Sequence, residues 1–126
     1  MKFIEWNRTG MSRDVLCIGR WALKFPKLRT WRAFLIGLLE NMQERDLWKR
    51  GDWPQLLCPV VFALPGGWLV VMGRATPLTD AQAEGFDPLA ILEQNDGLAI
   101  PAEPKASSFG MLDGRLVVVD YGDNPN

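Results

Sequence analysis

Short apolar segments that alternate with turn residues predict antiparallel hairpins along most of the chain. Phe3 to Trp6 is predicted as a short first strand. Asp-Gly dipeptides favour two-residue hairpin turns because both positions can adopt positive φ. Three hairpins are indicated: Asp14 to Ile18 with Trp21 to Phe25 around Gly19-Arg20, Leu56 to Leu64 with Trp68 to Met72 around Pro65-Gly66-Gly67, and Phe109 to Leu112 with Arg115 to Val119 around Asp113-Gly114.

One long helix, Trp31 to Lys49, is predicted between the first and second hairpins, with Thr30 as N-cap and Gly51 as the terminating glycine. Two stripes recur at helical spacing. The apolar stripe is Trp31, Phe34, Leu35, Leu38, Leu39 and Met42, and the second stripe is Ala33, Gly37, Asn41, Glu44 and Trp48. Because the second stripe contains small and neutral residues, we expect both faces of the helix to be covered. Packing in the core is predicted for Trp21, Trp31 and Trp68.

Capping signals predict two short helices in the last third of the chain. Thr79 and Gln82 have capping-box spacing, and Asp87-Pro88 predicts a helix from Pro88 to Gln94. Asn95 to Ser108 is predicted as a loop. The whole pattern indicates one α+β domain over residues 1–126, an antiparallel sheet of hairpins with one long helix.

Composition narrows the possible chemistry. The chain has 126 residues, 48% hydrophobic and 23% charged, which is typical of a globular domain. Its net charge of −1 gives no overall attraction to nucleic acid or to an anionic membrane, so neither is expected as a partner. The absence of histidine excludes His-based triads and His-containing zinc sites. Cys17 and Cys58 lie in apolar runs and are expected to be buried, reduced thiols, which favours a cytoplasmic location.

The order of elements and four short motifs resemble a protein kinase. Trp21-Ala22-Leu23-Lys24 is similar to the Val-Ala-Ile-Lys of the third kinase strand. The resemblance implies that Lys24 contacts nucleotide phosphates and pairs with a glutamate of the long helix. Glu44 is the predicted partner because it lies on the second stripe, and Glu40 is the alternative.

Other segments extend the resemblance towards the end of the chain. Met72 corresponds to the residue before the kinase hinge, and Arg74 to the hinge itself. Val119-Asp120-Tyr121-Gly122 resembles the Asp-Phe-Gly motif, which implies a magnesium-holding role for Asp120. ATP and Mg are therefore the candidate cofactors. The pattern is also similar to short kinase-like proteins of bacteriophages.

Several positions depart from the kinase pattern. Glu103 stands where kinases place the catalytic aspartate, and Ser108 where they place the second metal-binding residue, so these are only weak catalytic candidates. Asn7 to Arg13 is predicted as a loop, and it has only Gly10 in place of the glycine-rich loop of kinases. The helical substrate-binding lobe is expected to be truncated. The resemblance thus describes the nucleotide-binding half of the kinase fold with altered catalytic positions.

These departures favour a catalytically inactive, kinase-like domain that works by binding a nucleotide, a protein partner or both. Two alternatives remain: a minimal ATP-dependent phosphotransferase or ATPase using Lys24 and Asp120, and a generic α+β protein-interaction domain that binds no nucleotide. A reduced second lobe would leave apolar groups uncovered around Trp48, Trp53, Leu89 and Ile91. A homodimer or a protein partner is therefore expected to cover them.

Overall fold

The computed structural model describes residues 2–93 and 99–122 and contains two antiparallel sheets and one long helix. The strands of the first sheet lie in the order β1-β2-β3-β5-β4, and those of the second in the order β6-β7-β8. The elements are β1 Ile4–Asn7, β2 Arg13–Ile18, β3 Trp21–Pro26, α1 Trp31–Arg50, β4 Val60–Ala63, β5 Val70–Gly73, β6 Thr76–Pro77, α2 Asp80–Glu84, α3 Pro88–Leu92, β7 Phe109–Leu112 and β8 Arg115–Val118. The α+β class is confirmed.

The predicted turns and caps are present where the sequence indicates them. The Thr30 side chain accepts a hydrogen bond from the Ala33 amide, and Gly51 ends α1 with a φ of 71°. Asp113 and Gly114 both adopt positive φ in the turn between β7 and β8. The Thr79–Gln82 capping box and the Asp87 cap also form. α3 ends at Leu92, whereas Gln94, the predicted end, lies outside the described residues.

The second hairpin is shorter than predicted because its first segment divides between the two sheets. Only Val60–Ala63 pairs with β5, whereas Leu57 forms an isolated parallel bridge to Val118 of β8. The Cys58 amide donates to the Val118 carbonyl at 2.9 Å, and the Val118 amide donates to the Leu56 carbonyl at 2.7 Å. This short connection ties the end of β8 to the first sheet.

Helix α1 buries the face that carries its second stripe and leaves its apolar stripe at least partly exposed. Its buried residues are Gly37, Asn41, Glu44 and Leu47. The apolar stripe is largely open to solvent, with Trp31 78% and Leu35 57% exposed. The prediction that both faces are covered is therefore wrong for this chain alone. Gly37 shows the cause, since an added Cβ there would lie 2.5 Å from the Ser12 carbonyl oxygen, so the helix approaches the sheet closely along its small and polar stripe.

Burial also corrects several predictions for aromatic and cysteine residues. Trp31 and Trp68, predicted in the core, are exposed, and Trp21 is 40% exposed. Trp53 is only 3% exposed and belongs to the core, so it forms no part of an uncovered apolar surface. Both cysteines are free thiols, but only Cys58 is buried and Cys17 is partly exposed. Within the described ranges, no helix is both long and apolar enough to cross a membrane.

Candidate functional site

Glu44 lies at the centre of a buried cluster of charged side chains. It is completely buried, on the side of α1 that faces the sheet. An isolated carboxylate in such a position would be strongly destabilising, so its surroundings must supply positive charge and hydrogen bonds. Arg13, Lys24 and the backbone amide of Tyr121 supply them.

Lys24 supplies the predicted ion pair from β3. Its Nζ lies 3.0 Å from Glu44 Oε2 and 3.2 Å from Glu44 Oε1. The same ammonium donates to the Val119 carbonyl oxygen. An ammonium group has three N–H bonds, so these three contacts use its hydrogen-bonding capacity. The prediction of a Lys24–Glu44 pair is confirmed, whereas a nucleotide contact of Lys24 stays a prediction.

Arg13, which the sequence reading assigned to a loop, is the second cation of the cluster. Its Nη1 donates to Glu44 Oε1 at 2.6 Å, and its Nη2 donates to Glu44 Oε2 at 3.1 Å. Nη2 also donates to Asp120 Oδ1 at 2.6 Å. Burial alone would lower the pKa of Arg13, but the carboxylates of Glu44, Asp120 and Glu40 raise it above its ordinary value. Arg13 therefore remains charged, and its guanidinium faces the carboxylates of Glu44, Asp120 and Glu40.

Asn41 completes the hydrogen bonding around these charges. Its Oδ1 accepts from Arg13 Nη1 at 2.9 Å. Its Nδ2 donates to the Lys24 carbonyl at 3.1 Å and to the Gly67 carbonyl at 2.8 Å. The side chain is fully buried, so these bonds replace the water that folding removes. Asn41 was recognised in the second stripe, but its role as a bridge from the Arg13 guanidinium to the backbone carbonyls of Lys24 and Gly67 was not predicted.

Glu40 is not the partner of Lys24. Its carboxylate accepts a hydrogen bond from the Ser12 hydroxyl, and its Oε1 lies 4.0 Å from Arg13 Nε. Glu40 precedes Glu44 by one helical turn, so it sits further towards Ser12 and the start of β2. The structure therefore decides between the two glutamates in favour of Glu44.

The Asp120-Tyr121 segment is fixed to the cluster from the side of the second sheet. The Tyr121 amide donates to Glu44 Oε2 at 3.2 Å, and its hydroxyl donates to the Cys58 carbonyl at 2.9 Å. Desolvation would raise the pKa of Asp120, but the side chain remains 49% exposed, and Lys24 and Arg13 hold that pKa below its usual range. Asp120 is thus a carboxylate at neutral pH, bound to a guanidinium of its own chain.

A small polar cleft brings most of the remaining site candidates together. It is lined by Glu40, Gln43, Glu103, Ser108, Asp120, Tyr121 and Gly122, and its volume is about 20 Å³. That volume is close to what one water molecule needs and far below that of a nucleotide. Ser108 Oγ is buried without a hydrogen-bond partner, whereas Glu103 lies 3.1 Å from Lys105. In the described part of the chain, no three acidic or cysteine side chains are grouped as a metal site.

Met72 and Arg74 lie away from this cleft. Met72 is 1% exposed and packs in the core of the first sheet. The Arg74 side chain donates to the Phe3 and Gly19 carbonyls at 3.2 and 3.1 Å and to Glu5 at 2.9 Å. Its amide donates to the Arg20 carbonyl at 2.8 Å. Both residues therefore hold the sheet together in this arrangement, and their predicted adenine-binding roles remain untested.

No protein-family model, curated protein or solved structure matches this chain. The chemistry of the site and the surface therefore carries the functional argument.

Proposed function

We propose that this chain is a kinase-like domain that acts by binding a protein partner and does not transfer phosphate. The observation that carries the proposal is the Arg13–Asp120 bond, since Arg13 Nη2 lies 2.6 Å from the carboxylate that would hold magnesium in the kinase pattern. The Lys24–Glu44 pair by itself is also a feature of active kinases, but Lys24 gives a further hydrogen bond to the Val119 carbonyl. The residues that a kinase would use for phosphate and magnesium therefore already bind groups of their own chain.

The size of the cleft supports the same conclusion. The cleft of about 20 Å³ beside Asp120 and Ser108 admits a water-sized group only. The adjacent cavity of about 370 Å³ shares Glu103 and Gly122 with it, but its lining is mostly apolar and includes neither Lys24 nor Asp120. Glu103 replaces the aspartate of the kinase pattern, and its longer side chain would misplace a catalytic base by roughly an ångström, which can cost about a hundredfold in rate. Positioning is the main source of catalysis in phosphoryl transfer, so these changes compound.

A nucleotide titration tests this proposal directly. A ligand that binds only the folded state must raise the melting temperature. We expect the melting temperature to stay constant with ATP, with MgCl₂ and with both, and we expect no phosphate release. A magnesium-dependent increase that disappears in Lys24→Met would overturn the proposal in favour of nucleotide binding.

The convergence of Lys24, Glu44, Asp120, Glu103 and Ser108 around one region favours a second candidate, the minimal phosphotransferase or ATPase. In this alternative Arg13 occupies the place of the metal and must leave before magnesium binds Asp120. Arg13→Met would then increase magnesium-dependent ATP binding, with Arg20→Met as a control at an exposed arginine. Under the leading proposal, Arg13→Met only lowers stability, because it leaves Glu44 and Asp120 short of a counter-charge.

A further inference from the structure

The outward face of α1 carries an apolar surface that its own chain leaves open. The ring centroids of Trp31 and Phe34 lie 6.0 Å apart, and those of Phe34 and Trp68 lie 5.3 Å apart. Leu35 is 57% exposed one turn after Trp31. We call Trp31, Phe34, Leu35 and Trp68 the aromatic face. Exposed apolar groups in such continuous contact mark interaction surfaces rather than ordinary solvent-facing residues.

Two exposed arginines, Arg29 and Arg32, flank Trp31 on the aromatic face. The nearby Lys24 and Lys27 do not add to this charge, because Lys24 is buried against Glu44 and Lys27 lies 3.6 Å from Asp14. Tryptophan and arginine are the residue types that most often dominate binding energy at protein interfaces. The face therefore suits a partner surface that is apolar and negatively charged.

The same chain carries a surface of that kind elsewhere. The stretch between Arg74 and Lys105 contains no Lys or Arg, although the net charge of the whole chain is only −1. Within this stretch, residues 80–93 form what we call the acidic segment. Its exposed carboxylates are Asp80, Glu84, Asp87 and Glu93, and Leu89 adds an apolar side chain that is 50% exposed.

The two surfaces do not satisfy each other within one chain. Arg29 and Arg32 remain exposed, as do Asp80 and Glu84. Two aromatic faces are unsuited to direct pairing, because Arg29 and Arg32 would meet their own copies and like charges oppose association. The complementary contact joins the aromatic face of one copy to the acidic segment of another.

We propose that a second copy of this chain binds the aromatic face through its acidic segment. The inference gives the proposed binding role its partner and rests on that role. Two copies can form this contact twice, each binding the acidic segment of the other, which gives a closed dimer. Otherwise the contact repeats from copy to copy and gives a longer assembly. Opposite charges guide the encounter, and the tryptophans supply the buried apolar area.

Charge reversal tests this pairing most sharply. Arg29→Glu with Arg32→Glu and, separately, Asp80→Lys with Glu84→Lys each place like charges in the contact. We expect each pair of changes to weaken self-association by about tenfold or more in sedimentation velocity, since like-charge contacts cost several kcal/mol. The variant that combines all four changes should restore association. Lys2→Glu with Lys49→Glu, two exposed lysines outside the aromatic face, is the control for the arginine pair, with the same change in net charge.

Two further measurements make the outcome decisive. Wild-type association should weaken as NaCl rises, because salt screens exposed charges. Trp31→Ala should also weaken association while circular dichroism and urea unfolding show an intact fold. A wild-type monomer at every concentration up to near-millimolar in low salt overturns the proposal. A variant with all four charge reversals that remains folded yet monomeric also overturns the proposal. The ATP titration cannot produce this outcome, because it tests the proposed function separately.

Other occupants of the aromatic face would give different results. An anionic membrane would appear as co-sedimentation with phosphatidylserine vesicles that Arg29→Glu with Arg32→Glu abolishes and Asp80→Lys with Glu84→Lys does not change. A separate acidic protein would leave the wild type monomeric. Either outcome counts against the second copy as partner.

Discussion

The buried carboxylate of Glu44 makes the centre of this protein sensitive to changes in charge and position. Two cations, an amide group of the Tyr121 backbone and the helix itself surround one carboxylate that has no access to solvent. The arrangement depends on both charge and position, because a carboxylate one turn away, Glu40, contacts Ser12 instead.

Replacing Glu44 with glutamine should lower the free energy of unfolding by about 3–5 kcal/mol, since removal of one partner leaves the other buried charges uncompensated. Urea unfolding of Glu44→Gln measures this loss. Asp46→Asn on the same helix is the control, because that side chain is 62% exposed and its change should stay within about 0.5 kcal/mol. Equal stabilities for the two variants would show that Glu44 is not the buried centre of the cluster.

The kinase resemblance implied a pair between Lys24 and a glutamate of the long helix, and the second stripe selected Glu44, but neither predicted the role of Arg13. Lys24 ends a recognisable apolar strand, and Glu44 lies in line with Gly37 and Asn41 on the helix. Arg13 follows a polar segment and looks like an ordinary loop residue. Its place depends on how closely the start of β2 approaches α1, which is a tertiary contact with no local sequence signal.

Helix α1 is the element for which local pattern and burial disagree most. Its length and caps follow from Thr30 and Gly51, which act over a few residues and are therefore readable from sequence. Its orientation does not follow from apolar periodicity, because the charged cluster and the close approach at Gly37 turn the polar stripe inward. Apolar periodicity here marks a surface that is open in the single chain.

The orientation of α1 predicts opposite effects for two leucines of the same helix. Leu47→Ala should cost about 2–5 kcal/mol of unfolding free energy, because Leu47 is 8% exposed and belongs to the core. Leu35→Ala should change the stability of the monomer by about 0.5 kcal/mol or less, because Leu35 is 57% exposed. Urea unfolding at dilute concentration compares them, and a larger loss for Leu35→Ala would reverse the assigned orientation.

At the scale of the whole molecule, protonation of the Asp120 carboxylate links the pH to the attachment of the second sheet. Its pKa is lowered in the folded protein by Lys24 and Arg13, against the opposing effect of burial. At pH values between the folded and the unfolded pKa, the unfolded chain binds more protons than the folded protein does. The stabilisation contributed by the Asp120 carboxylate is therefore fully present above the unfolded pKa of about 3.9, and it is lost as the pH falls through the folded pKa.

We therefore expect wild-type stability to fall more steeply than that of Asp120→Asn as the pH is lowered from about 5 to 2. Urea midpoints at several pH values provide the measurement, and the difference between the two proteins isolates Asp120 from the other carboxylates. Parallel curves would contradict the assigned pairing with Arg13. Lys105→Gln is a useful control, since Lys105 contributes less than Lys24 and Arg13 to the lowered pKa.

The Arg13–Asp120 bond also bears on the order in which a newly made chain can fold. The two residues are 107 positions apart in sequence. Arg13, Lys24 and Glu44 are all translated well before Asp120, so the Arg13–Asp120 bond cannot form until the segment after β8 has been made. Contacts over such long separations form late because much of the chain must be ordered first. In a nascent chain the second sheet therefore attaches to the cluster only after Asp120 has been translated.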